Sequence, residues 1–403
     1  MMSCSSNKLR KVIQTPNLYS FYKKGDLKLA DTSFQILYAT NRRYEKKGEN
    51  DWAYTFHRSS SLKFGTLDIF FSDIEDPRNF FEKSFSIFNK NNFRIGTKNS
   101  QQTAVFPSTP YIFKFVGNEP VVSKEVLESH DREEKKVIKQ LEERLALSKN
   151  KELIIYVHGF NNTFKDAALN LSEVWHFSGR QGVPLLFSWP AGSHGLFAYF
   201  QDRESGEFSI YHLKQLLKTL PKIKNLEGVH IIAHSRGADV VTTALREILL
   251  ETKAEMKDPR EIFKFKNLIL AAPDLDFAVV GQRLIAERFA QLFEQITVYI
   301  NTHDGALGVA QNVMCGGSRL GRVEAKNLNH GEDQILETID RINFVNVKGA
   351  KGYFAHSYYR KHPGALSDII QLIKYGAKPG GEKRPLKQIH GHFWELDRDY
   401  LRK

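Results

Sequence analysis

The 403-residue sequence predicts an α/β fold built on a mostly parallel, doubly wound sheet with helices on both faces. Short apolar runs alternate with amphipathic segments from residue 153 onward, the rhythm of strand and crossover helix. The runs are continuous rather than alternating in polarity, which suits strands covered on both faces. With 41% hydrophobic and 12% aromatic residues, the chain also has enough apolar material to bury such a sheet.

Residues 1–33 read as a basic N-terminal arm, with Lys8, Arg10, Lys11, Lys23, Lys24 and Lys28 against the acid Asp26. Such an arm is a candidate contact for an anionic membrane surface. The domain proper is expected over 34–375. "FQILYAT" (34–40) and "GTLDIFFS" (65–72) have strand composition, and the polar segment between them reads as loop. Residues 73–128, rich in Phe, Asn, Pro and Ser, read as an irregular insertion or peripheral segment. A surface helix follows over 131–149, its buried stripe formed by Val137, Ile138, Leu141, Leu145 and Leu147. The regular strands are then expected at 153–157, 183–189, 229–233, 267–272, 296–301 and 342–347. The helices are expected near 163–179, 208–219, 236–251, 277–294, 332–340 and 364–375. Residues 376–403, carrying Gly, Pro and Lys before an aromatic end, read as a C-terminal extension laid over the domain surface.

Composition narrows the function classes. No window of eighteen apolar residues is present and the first twenty residues lack the apolar core of a signal peptide, so a cytoplasmic location is expected. Cys4 and Cys315 make no disulfide framework and fit a reducing compartment. The formal charge of +12 attracts anions. No zinc-knuckle, helix-turn-helix or RNP-like motif accompanies that charge, and nucleic acid is not an expected partner. No His pair with a carboxylate at coordinating spacing occurs on any one helix; neither a metal nor another cofactor is expected.

In a doubly wound sheet ligands gather at the carboxyl ends of the strands. The run "VHIIA" ends in His234-Ser235-Arg236-Gly237, which resembles the nucleophile elbow of α/β-hydrolases, G-x-S-x-G, with Ala233 in the first glycine position. Small residues are required there because side chains two positions from the serine would strike neighbouring backbone. The competing reading is a serine that merely caps the following helix.

A serine hydroxyl is a weak nucleophile and needs a base that is itself oriented by an acid. In this fold the acid and then the histidine follow the serine along the chain. Asp304 in "THDGAL" follows one strand and His356 in "FAHSYY" lies beyond the last, so both fit. Asp274 and Asp276 in "APDLD" are alternative acids, their ordinary role being to cap the helix from 277. His330 and His362 are less well placed than His356. An oxyanion needs preorganised N–H donors. His158-Gly159 after the strand "LIIYV" supplies a turn in which the backbone of Phe160 or Asn161 would donate, joined by the backbone of Arg236. His158, Gly159, Trp189, Asp202, His234 and Arg236 are candidates for the substrate pocket. Asp202 is expected in a loop at the site mouth, and Arg236 is expected to bind an acidic substrate group or to pair with a carboxylate such as Asp202 or Asp274.

The set "YATNRRYE" (38–45), "VHGFNNTF" (157–164), "FSWPAG" (187–192), "YFQDRESGEFS" (199–209), "AHSRGADV" (233–240), "APDLD" (272–276), "THDGAL" (302–307) and "HSYY" (356–359) resembles an uncharacterised bacterial α/β-hydrolase family over residues 34 to about 375. The resemblance implies the α/β-hydrolase fold and a Ser235-Asp304-His356 hydrolase; it implies no substrate. Methionine is commoner in the family where this sequence has Arg236. From the acyl-transfer chemistry of the serine site a carboxylic ester hydrolase of esterase or lipase type is expected on a small-molecule ester, with thioesterase, amidase and acyltransferase chemistry as alternatives in the same class. The alternative of a different class is a non-catalytic hydrolase-fold protein that binds anionic lipid or a partner through its basic surface.

Overall fold

The computed structural model describes residues 9–12, 16–18, 31–46, 52–74, 80, 84, 93–194, 197–313, 317–328, 339, 341–350 and 355–402. The elements in chain order are β1 (Arg10–Lys11), β2 (Ser33–Lys46), β3 (Trp52–Ser72), β4 (Arg94–Val105), β5 (Phe113–Val116), β6 (Glu119–Val122), α1 (Lys124–Leu147), β7 (Glu152–Val157), α2 (Phe164–Phe177), β8 (Val183–Ser188) and α3 (Ala198–Leu217). They continue with β9 (Gly228–His234), α4 (Gly237–Ala254), α5 (Pro259–Phe263), β10 (Phe265–Ala271), α6 (Phe277–Val280), β11 (Gln295–Ile300), α7 (Gly305–Val313), β12 (Ile342–Val347), α8 (Tyr358–Lys361), α9 (Pro363–Tyr375), β13 (Lys387–His390) and β14 (Phe393–Leu396).

Twelve strands form one sheet in the order β1-β4-β3-β2-β8-β7-β9-β10-β11-β12-β14-β13. From β2 to β14 every neighbouring pair is parallel, and antiparallel strands close both ends. The expected α/β-hydrolase architecture is what the chain adopts. Within β7 the side chains of Leu153, Ile155 and Val157 enter a core shared with α1, α3 and α4, while Ile154 and Tyr156 enter a second core with α2 and α9. This two-sided burial is why the central strands read as unbroken apolar runs. Helix α2 begins on a capping box, Thr163 accepting from the Asp166 N–H and Asp166 accepting from the Thr163 N–H.

The structure departs from the sequence reading in several places. The presumed loop between residues 40 and 65 is largely strand, because β2 and β3 continue as a long hairpin. Its polar residues are paired far along the chain: Asn41 donates to Ser209 Oγ at 2.9 Å and Arg42 Nε to Ser188 Oγ at 2.8 Å. Residues 73–128 are not uniformly irregular, since β4 pairs with β3 and extends the sheet. The helix expected at 277–294 is broken into α6, a π turn at Gly281–Ile285 and a 3-10 turn at Phe289–Leu292, with Arg288 left-handed at φ 59° between the turns. Helix α3 starts at Ala198, ten residues ahead of expectation. The helix expected at 332–340 lies almost wholly outside the described residues, as do His330, Cys4 and Cys315.

The described parts of both terminal segments belong to the body of the molecule. β14 pairs parallel to β12, so residues 376–403 extend the sheet instead of lying on it. Arg384 is fully buried there against Asp368 of α9 (2.7 Å), which also accepts from Tyr299 and Tyr400 hydroxyls. In the basic arm, β1 pairs with β4. Arg10 reaches buried Glu173 of α2 at 2.7 Å, and Glu173 is shared with Arg360 of α8 at 3.1 Å. The remaining basic residues of the arm apart from Lys11 lie outside the described residues. No helix among the described residues is long and apolar enough to cross a membrane.

Candidate active site

Ser235 sits between the end of β9 and the start of α4 with φ 53°, a left-handed conformation that an L-residue holds only under surrounding constraint. Its N–H donates to the Ala271 carbonyl of β10 at 2.9 Å, and its carbonyl accepts from Ala238 and Asp274 N–H groups. The need for small neighbours is visible: a Cβ on Gly237 would lie 2.3 Å from the His158 carbonyl oxygen, and one on Gly159 would lie 2.7 Å from Ser235 Cβ. The side chain of Ser235 does not cap α4, whose N-cap is Arg236 and carries no side-chain cap bond. Ser235 Oγ lies instead 2.6 Å from His356 Nε2.

The other imidazole nitrogen, His356 Nδ1, is 2.7 Å from Asp304 Oδ2. Asp304 is fully buried just before α7, and its Oδ1 accepts the N–H groups of Ala306 and Leu307 at 3.0 and 3.1 Å. With that carboxylate fixed, Nδ1 carries the proton toward it and Nε2 presents its lone pair to the serine. The three side chains converge from the ends of β9, β11 and the segment after β12.

The two alternative acids are committed elsewhere. Asp276 caps α6, accepting from Ala278 and Val279, and also takes the Gly317 N–H. Asp274 accepts from Tyr199 Oη at 2.6 Å and faces Arg319 Nε at 3.5 Å.

The loop after β7 divides the expected oxyanion donors. The Asn161 N–H donates to Asp202 Oδ2 at 2.9 Å, so it is not free for a substrate. Among the described residues, the N–H groups of Phe160 and Arg236 have no such partner. Asp202 is buried on α3, not in a loop; it also accepts from Gly192 N–H at 3.1 Å and from Ser193 N–H and Oγ at 3.2 and 2.5 Å. It ties two loops together and does not line the site.

His158 and Trp189 are likewise fully buried and cannot touch a substrate as they stand. Their rings stack at 5.0 Å, and Trp189 Nε1 donates to the His158 carbonyl at 2.7 Å. His158 Nδ1 donates to the Gly159 carbonyl, leaving Nε2 to accept from Arg42 and Ser188. Burial, reinforced by the Arg42 charge, holds the His158 pKa well below its ordinary value, so this histidine is neutral. Arg42 also donates to the carbonyls of Thr55, Ala191 and Asn162. Its part in bracing this loop is absent from the sequence reading; the signal was the "YATNRR" motif.

His234 donates through Nε2 to the His356 carbonyl at 3.0 Å and lies against the Tyr359 ring, and burial drives its pKa well down. Arg236 is buried and ion-paired, but to Asp239 at 2.6 Å rather than to the carboxylates of Asp202 or Asp274; it reaches only the Asp274 carbonyl, at 3.5 Å. Phe160 and Tyr199 meet edge-on at 5.5 Å beside it. Tyr199, too, was not singled out by the sequence. No group of three His, Cys, Asp or Glu side chains among the described residues is arranged to hold a metal ion.

A family model described as an alpha/beta hydrolase of unknown function, DUF900, matches residues 133–374, more than half of the chain. The chain belongs to the DUF900 family. The matched span of this DUF900 hydrolase runs from α1 into α9 and includes Ser235, Asp304 and His356. No curated protein matches it. Among solved structures, a protein described as a candidate cell surface hydrolase from Lactobacillus plantarum WCFS1 is 16% identical, with a TM-score of 0.33 over 58% of this chain and 94% of that one. A serine hydrolase from the polyaromatic hydrocarbon-degrading bacterium Cycloclasticus zankles is 13% identical, with a TM-score of 0.24 over 62% of this chain and 83% of that one.

Proposed function

We propose that this DUF900 protein is a serine hydrolase of carboxylic esters, with Ser235 as nucleophile, His356 as general base and acid, and Asp304 as the group that orients the imidazole. The unbroken chain of short contacts from Ser235 Oγ through His356 to Asp304 carries the reading. His356 Nε2 takes the hydroxyl proton as Oγ attacks the ester carbonyl, forming a tetrahedral oxyanion. The N–H groups of Phe160 and Arg236 hold that oxygen. The imidazolium gives its proton to the departing alkoxide, which leaves as the alcohol. Water, deprotonated by the same nitrogen, then attacks the acyl carbonyl, and as that second tetrahedral species breaks its bond to Ser235 Oγ the imidazolium returns its proton to Oγ and the carboxylic acid leaves. Buried Asp304 accepts from Nδ1 and keeps the ring in its productive tautomer.

The test joins a fluorophosphonate probe to a panel of p-nitrophenyl esters of graded chain length. Wild-type protein should be labelled and active, whereas Ser235→Ala should lose the label and at least ~10⁴-fold in kcat. Folded wild-type protein that takes no label while a control hydrolase does, or an alanine variant that still reacts, would sink the assignment.

A further inference from the structure

The histidine in front of the nucleophile takes no part in the acyl transfer. His234 closes β9, in register with Ala271 of β10, and is buried to 6% exposure. Its Nε2 donates to the His356 carbonyl at 3.0 Å, so in the neutral ring Nδ1 carries no proton. Nδ1 is buried and has no hydrogen-bond partner among the described residues; it faces Gly159, whose Cβ, were one present, would stand 3.1 Å away. A buried acceptor without a partner costs stability. A hydrocarbon side chain would fill the same space without that cost, but it could not donate to the His356 backbone.

We propose that His234 is the positioning residue of the general base: its Nε2–H holds the main chain of His356 where the imidazole meets Ser235 Oγ. The role rests on the Ser235-His356-Asp304 hydrolase proposed above. Asp304 fixes the direction of the His356 ring through Nδ1, at 2.7 Å, but not the place of the backbone from which the ring hangs. The bond to the His356 carbonyl supplies that second restraint. His234 is itself held, since its ring packs against those of His356 at 4.9 Å and Tyr359 at 4.6 Å, and Tyr359 Oη meets Tyr156 Oη of β7 at 2.6 Å. Because His234 and Ser235 are consecutive, the strand end that presents the nucleophile also sets the position of its base, and the 2.6 Å contact between Ser235 and His356 depends on one piece of backbone. Strands hold such geometry more closely than loops do. Burial, reinforced by the His356 charge, also keeps the His234 pKa well below its ordinary value, so this ring stays neutral beside the imidazolium that forms during the reaction.

The experiment compares the full chain with its His234→Gln, His234→Asn and His234→Leu variants. The amide nitrogen of Gln reaches about as far from the backbone as the imidazole Nε2, that of Asn only about as far as Nδ1, and Leu has no donor. The measurements are the rate of fluorophosphonate labelling, kcat and KM for p-nitrophenyl acetate, and thermal unfolding. His234→Asn and His234→Leu should lower kcat and the labelling rate together by roughly 30-fold or more with KM changed less than about twofold, since an ångström of misplacement is worth about 100-fold. His234→Gln should restore both rates to within about fivefold of wild type. A folded His234→Leu protein that labels at the wild-type rate overturns the proposal, as does a His234→Gln protein no faster than His234→Asn. A loss of rate that follows thermal stability across the variants, whatever the donor, overturns it too. Should His234→Leu fail to fold, the Gln and Asn variants decide between them. Wild-type protein that takes no label beside a labelled control removes the hydrolase and this role with it, whereas labelled wild type beside equally reactive variants removes the positioning role alone.

Discussion

Asp202 holds two loops beside the Ser235–His356–Asp304 cluster from beneath. Its buried carboxylate accepts four hydrogen bonds, from Asn161, Gly192 and twice from Ser193, and so fixes the loop that presents the Phe160 N–H. An amide keeps only one accepting oxygen, so Asp202→Asn should lower kcat about tenfold or more while KM changes little. An unchanged kcat would show that the loop holds itself. A second consequence concerns pH. His158, His176 and His234 all have pKa values depressed well below 6.5, chiefly by burial, and are neutral in the folded state. Below about pH 6.5 the unfolded chain takes up protons that the folded chain refuses, so the contribution of these three histidines is constant above that value and turns destabilising beneath it. Each such histidine contributes about 1.4 kcal/mol per pH unit to the decline. Denaturant unfolding at pH 8, 7, 6 and 5 checks the sign; stability that rises on acidification contradicts it. At this scale the sequence nominated Ser235, Asp304 and His356, because hydrolytic chemistry needs those residue types after strands, and the structure brings the three side chains within hydrogen-bond distance of one another. The sequence did not disclose the engagement of Asn161 or the Arg236–Asp239 pair, which depend on side-chain directions that no spacing rule supplies.

At the scale of elements, the approach of α4 to the loop after β7 is the tightest constraint beside the site. A methyl group on Gly237 would meet two backbone carbonyl oxygens, those of His158 and Val157, at 2.3 and 2.8 Å. Backbone cannot step aside as a flexible side chain can. Gly237→Ala should therefore cost about 1–3 kcal/mol and reduce activity, whereas Gly281→Ala, with nothing within 4 Å, should be neutral or slightly stabilising. Paired urea titrations compare the two, and equal effects would refute the steric argument. The same scale explains what was legible. The strands β7 to β12 were readable as apolar runs because both of their faces are covered. The outer reach of the β2–β3 hairpin was not, because Asn41 and Arg42 look like loop residues until their partners Ser209, Ser188, Ala191 and Asn162 are folded around them. Likewise the break of the segment from 277 into α6, a π turn and a 3-10 turn carries no proline to announce it.

Across the whole molecule, residues at both ends of the chain are wired into the α/β body by buried ion pairs. Arg384 lies between Asp368 and Gln295 and connects the segment leading to β13 and β14 with α9 and β11. Removing one partner of a fully buried pair leaves a charge with no compensation, so Arg384→Met should destabilise by about 3–5 kcal/mol. The double variant Arg384→Met, Asp368→Leu should recover part of that loss, and a single variant of wild-type stability would place the stabilisation elsewhere. The sequence alone determined the fold class, since apolar runs and crossover helices in this order have few ways to bury themselves. It also nominated the serine, the acid and the histidine through their places after strands. Only the tertiary structure decided which N–H groups stay free beside Ser235, that His158, Trp189 and Asp202 lie beneath the Ser235 cluster, and that β1, β13 and β14 of the terminal segments join the sheet. The physical reason is common to all three: burial of a polar group is tolerable only with its partner in place, and these partners lie far along the chain, beyond the reach of any local pattern.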